Sequence, residues 1–142
     1  MKIFFDTNVL IDTFSRHDEM SKYSQACYEL AASGKIVGYV NAKQLIDFHY
    51  ILRKITHDKD FCYDAIKTLC EIFKVVPFDK NSLLNSIKRD FNDFEDGTID
   101  DSAYLYCCNF LVTRNVKDYK NSKSNVITPK ELISLYNAEV LK

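Results

Sequence analysis

The run Lys2-Ile3-Phe4-Phe5, followed at once by Asp6-Thr7-Asn8, constrains this chain more than any other feature. Unbroken apolar residues of that length need burial on both faces, the situation of a strand in the middle of a parallel sheet. The pattern predicts a strand over residues 3–6. An acid set directly at its end is costly unless it is hydrogen-bonded, paired or bound to a cation. Parallel strands in turn demand crossover connections, usually helical.

The rest of the chain supplies them. Met20, Tyr23, Cys27, Leu30 and Ala31 recur at three-to-four spacing, so a helix is expected over 19–33 with Gly34 as its stop. A short helical turn closing at Asp12 to Phe14 precedes it. A strand at 36–40 leads into a helix at 42–54 with Leu45, Ile46, His49 and Leu52 inward. A further helix at 59–72 carries the stripe Cys62, Ala65, Ile66, Leu69 and Cys70, and a strand at 73–76 ends at Pro77. Asp79 reads as the cap of a helix from Lys80 to about Arg89, stapled by Phe78 and Leu83. Thr128-Pro129-Lys130-Glu131 is a capping box with proline in the first turn, stapled by Ile127 and Leu132. Between these lie a helix from about Gly97 to Cys108 and strands at 110–112 and 125–127. Strands alternating with helices at this spacing predict a three-layer α/β/α sandwich with a mostly parallel central sheet, one domain spanning 1–142.

The 142 residues suffice for one real core and not two. A formal net charge of −1 argues against a basic coat for nucleic acid, although a local basic patch is compatible with it. The five cysteines have no CxxC spacing and are expected to be reduced and buried. The chain opens on a strand pattern instead of an apolar leader, and no apolar run is long enough to cross a membrane. A cytoplasmic protein is the expectation.

Parallel strands bring their carboxyl ends to one edge, where open α/β sheets bind ligands. Three acidic or polar stretches are predicted to meet there: Asp6-Thr7-Asn8; the knot Asp93-Phe94-Glu95-Asp96 with Asp100 and Asp101; and Thr113-Arg114-Asn115 with Asp118. So many like charges raise one another's pKa unless a cation offsets them. Carboxylates and waters are the usual ligands of Mg²⁺ or Mn²⁺, which points to phosphodiester chemistry. Asp6 is also able to serve simply as a helix cap, with Thr7 and Asn8 as local partners. Asp96 and Asp100 are four apart on one helix face, and local pattern leaves open which is the inner ligand. Thr113 and Asn115 suit waters or a scissile phosphate, and Asp118 returns a carboxylate to the cluster. Asp47 lies among Leu45, Ile46, Phe48 and Ile51, where it reads equally as a polar-face acid. Among the basic groups, Arg114 is the expected substrate contact, with Asn8 beside it.

Taken in order, these motifs resemble a PIN domain, the nuclease fold of VapC-type bacterial toxins and related ribonucleases. The likeness rests on Phe4-Phe5-Asp6-Thr7-Asn8, on Asp47 where the family usually has Glu, on Phe94-Glu95-Asp96, and on Thr113 through Tyr119, and it covers essentially the whole chain. It implies a divalent-metal-dependent ribonuclease cutting single-stranded or loop RNA. Asp6, Asp96 and Asp118 would hold Mg²⁺ or Mn²⁺, Asp47 would support them, and Thr113 and Asn115 would orient water or phosphate. The family spacing selects Asp96 over Asp100 as inner ligand, leaving Asp100 secondary. It also implies a homodimer and an antitoxin partner. Departures are the shorter Asp47, Gly97 where Ala is common, and the added charge of Asp100-Asp101.

Two other classes compete. A PIN-like module that binds RNA or protein without cutting has no need to keep all the acids. A phosphatase with Asp6 as nucleophile would call for a second acid two residues on, where this chain has Asn8.

Overall fold

The computed structural model describes residues 1–140. Among them, five strands pair in one sheet in the order β3-β2-β1-β4-β5, and every pairing is parallel. In chain order the elements are β1 (Lys2–Phe5), α1 (Thr7–Ser15), α2 (Glu19–Ala32), β2 (Val37–Asn41), α3 (Ala42–Thr56), α4 (Lys59–Ile72), β3 (Lys74–Val76), α5 (Lys80–Lys88), α6 (Phe94–Leu105), β4 (Phe110–Val112), a 3₁₀ turn (Val116–Tyr119), β5 (Val126–Ile127) and α7 (Pro129–Val140). The predicted three-layer α/β sandwich is the observed architecture.

β1 is central, and its side chains alternate between two cores. Ile3 and Phe5 join residues of α1 to α4 and α7 on one face, while Phe4 joins Tyr39, Leu111, Ile99 and Ala103 on the other. Successive connections run to β2 on one side of β1 and to β4 on the other. The strand order therefore reverses between β1 and β4, the crevice where such sheets take ligands. Phe5 pairs with Val112, and the Asp6 amide continues the ladder by donating to the Val112 carbonyl at 3.0 Å. Asp6 and Thr113 thus leave adjacent strands side by side.

Helix starts follow their local chemistry. The Asp79 side chain caps α5, and the Thr128–Glu131 box closes reciprocally at 2.9 and 3.1 Å. Asp18 and Asn41 make two further capping boxes. Gly34 takes φ 74°, the left-handed stop expected after α2. Gly38 is required for another reason: a Cβ there would lie 2.5 Å from the Phe73 ring, which packs across β2.

Several expectations need correction. The segment after β1 is a nine-residue helix, because Val9, Leu10 and Ile11 all find the core. α6 begins at Phe94 and not Gly97, since Asp93 caps it, and it ends at Leu105. On α3 the inward face is Leu45, Phe48 and Leu52, while Ile46 is 73% exposed beside the groove between α3 and α4. Leu83 is also exposed, because α5 turns Ser82 and Ser86 inward to approach α6 closely. All five thiols are free, yet only Cys27 and Cys62 are buried; Cys70 and Cys107 are exposed and Cys108 is half-buried. Cys70 lies about 100° round α4 from Leu69, off the stripe formed by Cys62, Ala65 and Leu69. No described helix is long and apolar enough to cross a membrane.

Candidate active site

Asp6 does two jobs. Its Oδ1 caps α1, accepting the Thr7 amide at 2.7 Å. Its Oδ2 accepts the Thr113 hydroxyl at 2.7 Å, the Tyr119 hydroxyl at 3.0 Å and the Asn8 amide at 3.4 Å. Burial raises the carboxyl pKa, and the bonds from Thr113, Tyr119 and Thr7, with the charge of Arg114, work against that rise. The helix-cap reading is therefore correct as local structure and leaves the second oxygen facing the site.

Asp96 stands in the first turn of α6, half-buried. Its pKa is pushed up to about 7, first by burial and then by the charges of Asp6, Asp93, Asp118 and Glu95. Glu95 is raised too, by burial, with Asp47, Asp93 and Asp6 adding to it and Lys43 opposing. Burial leads in both shifts, and the neighbouring carboxylates add to it. The acids share a cavity of about 260 Å³ with Asn8, Arg114, Asn115, Asp118 and Tyr119. A second cavity of about 410 Å³ adjoins it, sharing Asp93, Asp96 and Asp118.

The polar groups between the acids form one network. Asn8 bridges α1 and β4: its Nδ2 donates to Thr113 Oγ1 at 3.3 Å and its Oδ1 accepts the Arg114 amide at 3.3 Å. The Asn115 amide donates to Thr113 Oγ1 at 3.1 Å, and its side chain lines the cavity. Arg114 borders the cavity, but its Nε is ion-paired at 2.9 Å with Asp12, a fully buried acid that also accepts from Ser24 at 3.0 Å.

Two of the sequence candidates lie apart. Asp47 is ion-paired with Lys43 one turn earlier on α3 and is not among the residues lining the cavity; it acts there only as a charge felt by Glu95. Asp100 is fully buried one turn further along α6, bonded by the Ser122 hydroxyl and 3.8 Å from Arg89. Asp6, Asp96 and Asp118 line one cavity, but with the side chains as placed no three His, Cys, Asp or Glu among the described residues close to metal-binding distance.

Sequence reasoning missed Tyr119 and Asp12. The Tyr119 hydroxyl donates to Asp6 and lies 3.4 Å from Asp96 Oδ1, so one buried group touches both acids. Burial, then the charges of Asp6 and Asp96, push its own pKa upward and keep the proton on it. A tyrosine next to Asp118 was a usable signal: a buried ring needs a partner for its hydroxyl. Asp12 carried no comparable sign.

A family model described as "PIN domain" matches residues 2–117. Ribonuclease VapC1 of Aquifex aeolicus is 26% identical over 141 residues, covering 96% of each chain. Among solved structures, VapBC2 from Rickettsia felis bound to a promoter DNA fragment superposes with TM-score 0.69 at 15% identity, over 90% of this chain and 98% of the other. A toxin–antitoxin complex from Klebsiella pneumoniae gives 0.66 at 22% identity, over 89% and 97%. PAE2754 from Pyrobaculum aerophilum gives 0.66 at 16% identity, over 97% and 96%.

Proposed function

The chain belongs to the PIN-domain family, and from that premise we propose that it is a divalent-metal-dependent endoribonuclease that hydrolyses single-stranded or loop RNA, acting as the toxin of a type II toxin–antitoxin pair. The observation that carries this reading is the meeting of Asp6, Asp96 and Asp118 in one cavity at the switch point, with Asp96 raised to about 7 first by burial and then by its acidic neighbours.

An all-oxygen carboxylate set with waters fits a hard cation such as Mg²⁺ or Mn²⁺. Asp6, Asp96 and Asp118 would hold it, with Asp47 in support by way of Glu95 and Lys43. Such an ion, when bound, supplies a water of lowered pKa and offsets charge on the phosphorane-like transition state. The chain's own groups supply the rest. Thr113, Tyr119 and the Thr7 amide fix the Asp6 carboxylate, so that its orientation is set before substrate arrives. Asn8 and Asn115 orient a water or a non-bridging phosphate oxygen, and a carboxylate of the cluster accepts the proton of the attacking water. Arg114, held by Asp12, presents its charge at the rim, where it opposes repulsion between the acids and a phosphate. An unpaired backbone enters this recess more readily than a duplex.

The partners proposed are RNA, a second copy of the chain, and an antitoxin; the Klebsiella pneumoniae structure is a toxin–antitoxin complex, and the Rickettsia felis one is VapBC2 on promoter DNA. The cytoplasm is the compartment proposed. The test is direct: purified protein with Mn²⁺ should cut a long RNA at a limited set of sites, and EDTA should stop it. Protein that binds RNA and never cuts it with Mg²⁺ or Mn²⁺, after any co-purified inhibitor is removed, is a binding module instead.

A further inference from the structure

We propose that the 410 Å³ cavity beside the carboxylate site seats the nucleotide flanking the scissile phosphodiester, and that Lys117 and Lys120 hold its phosphate. The proposal rests on the nuclease reading above and adds to it where the substrate lies.

The starting point is an electrostatic problem. A polyanion must approach a site where Asp6, Asp93, Glu95, Asp96 and Asp118 share one cavity of about 260 Å³. Cations must border that site, and several of those around it are already paired. Arg114 is ion-paired with Asp12, Lys43 with Asp47, and Arg89 with Asp101. Lys117 and Lys120 are exposed, and among the described residues neither forms an ion pair or lies over an aromatic ring. Both line the second cavity.

Backbone geometry puts them there together. The segment Val116–Tyr119 is a 3₁₀ turn, in which residues three apart eclipse one another. Tyr119 takes the inward face, with its hydroxyl on Asp6. Lys117 lies in the turn and Lys120 is the helical residue that closes it, three positions on, so the two share a face other than that of Tyr119, with Asp118 between them in the chain. The same short turn that brings Asp118 to the acids aims two ammonium groups into the adjoining space. The lining suits a nucleotide: Phe91 packs edge-on against Tyr119 at 5.7 Å, Asn92 adds an amide, and Asn121 stands beside it with its Nδ2 donating to the Asp90 carbonyl at 3.3 Å. Single-stranded nucleic acids are held by this combination of backbone cations and an aromatic surface. Because the two cavities share Asp93, Asp96 and Asp118, a chain passing from one to the other crosses the acids.

The test measures binding apart from cleavage. Fluorescence anisotropy of a labelled short single-stranded RNA, in EDTA and over a salt series, is compared for the wild-type protein, Lys117→Ala/Lys120→Ala and Lys35→Ala/Lys74→Ala. The last pair removes the same charge at the opposite, amino edge of the sheet. The cavity variant should bind about tenfold more weakly, and its salt slope should fall by about 1.4, two single-strand phosphate contacts; the control should stay within about twofold of wild type, with all three melting alike. A wild-type protein that does not bind, a cavity variant with wild-type affinity and slope, or equal losses in both variants overturns the proposal. So does displacement of the RNA by a polyglutamate peptide of matched charge as readily as by unlabelled RNA, since that is anion attraction without a nucleotide seat. Cleavage with Mn²⁺ is assayed alongside: RNA held through these lysines but never cut supports the subsite while removing the nuclease reading.

Discussion

Helix α6 carries two acidic clusters one turn apart, and they have opposite fates. Asp100 and Asp101 are buried beside Arg89, which bonds Asp101 through Nε and Nη2 at 3.1 and 2.9 Å, and Ser122 donates to Asp100. Burial raises Asp100, and Ser122 and Arg89 oppose the rise. At the other end, Glu95 and Asp96 face Asp6, Asp93 and Asp118, and the first effect after burial on Asp96 is repulsion. One cluster is ion-paired with a cation, whereas Arg114 and Lys43 act on the other only through their charge and, among the described residues, pair with none of its acids. Acids compensated from within belong to the fold; acids left uncompensated around a cavity are the signature of a site.

Exchanging the two kinds of behaviour would break this contrast, and the largest effect is expected on activity. Asp6→Asn and Asp96→Asn should each lower RNA cleavage by at least about 10³-fold, since an ion lost from the site removes several kcal/mol of transition-state stabilisation. Mn²⁺ titration should show the matching loss of affinity. Asp96→Asn should also unfold at higher urea than wild type without metal, because repulsion is relieved. Lower stability in that variant would place Asp96 with the structural acids.

Arg89→Met is the converse experiment. It strands two buried carboxylates and should cost about 3 kcal/mol in urea unfolding, while any protein that remains folded keeps its Mn²⁺ affinity. Equal damage to both properties would mean that the clusters are not separable.

The pH dependence of stability tests the same distinction without mutation. Asp96 in the folded protein holds its proton to about pH 7, whereas in the unfolded chain it releases it near the ordinary value of about 4. The folded state binds more protons across that interval, so stability without metal should fall as pH rises from about 4 to about 7, by about 1–2 kcal/mol after solvent screening. Asp96→Asn should flatten the decline, and so should Mn²⁺. A decline that survives in the variant would have another source.

The smallest expected effects come from the two hydroxyls. Tyr119→Phe, which keeps the ring against Phe91, should lower cleavage about tenfold, or about 1.4 kcal/mol of transition-state stabilisation, and weaken Mn²⁺ binding with it. Ser122→Ala should cost about 1 kcal/mol of stability and leave Mn²⁺ affinity within about twofold. Reversed outcomes would assign the two hydroxyls to each other's cluster.

What the sequence revealed was local or periodic. The strand run before Asp6, the Asp79 cap and the Thr128 box are each written within a few residues, and each stands where expected. The gathering of the three acidic stretches at one edge followed from parallel topology, and the choice of Asp96 over Asp100 from the family resemblance. What escaped was pairing at a distance. Nothing near Arg114 announces that Asp12, about a hundred residues earlier, occupies its guanidinium. Asp47 looked free for the site because its partner Lys43 is an unremarkable surface residue one turn away. Ile46 and Cys70 were misplaced because an apolar stripe fixes a helix face only to within one residue's rotation.

The bonds from Thr113 and Tyr119 to Asp6 join residues 107 and 113 positions apart. Asp6 is thus oriented by groups made more than a hundred residues after it. A ribosome delivers Asp6 long before Tyr119, and contacts across so long a stretch form late in folding. A break anywhere between the two segments would separate the acid from the hydroxyls that aim it, and only the pairing of β1 with β4 would bring them back together.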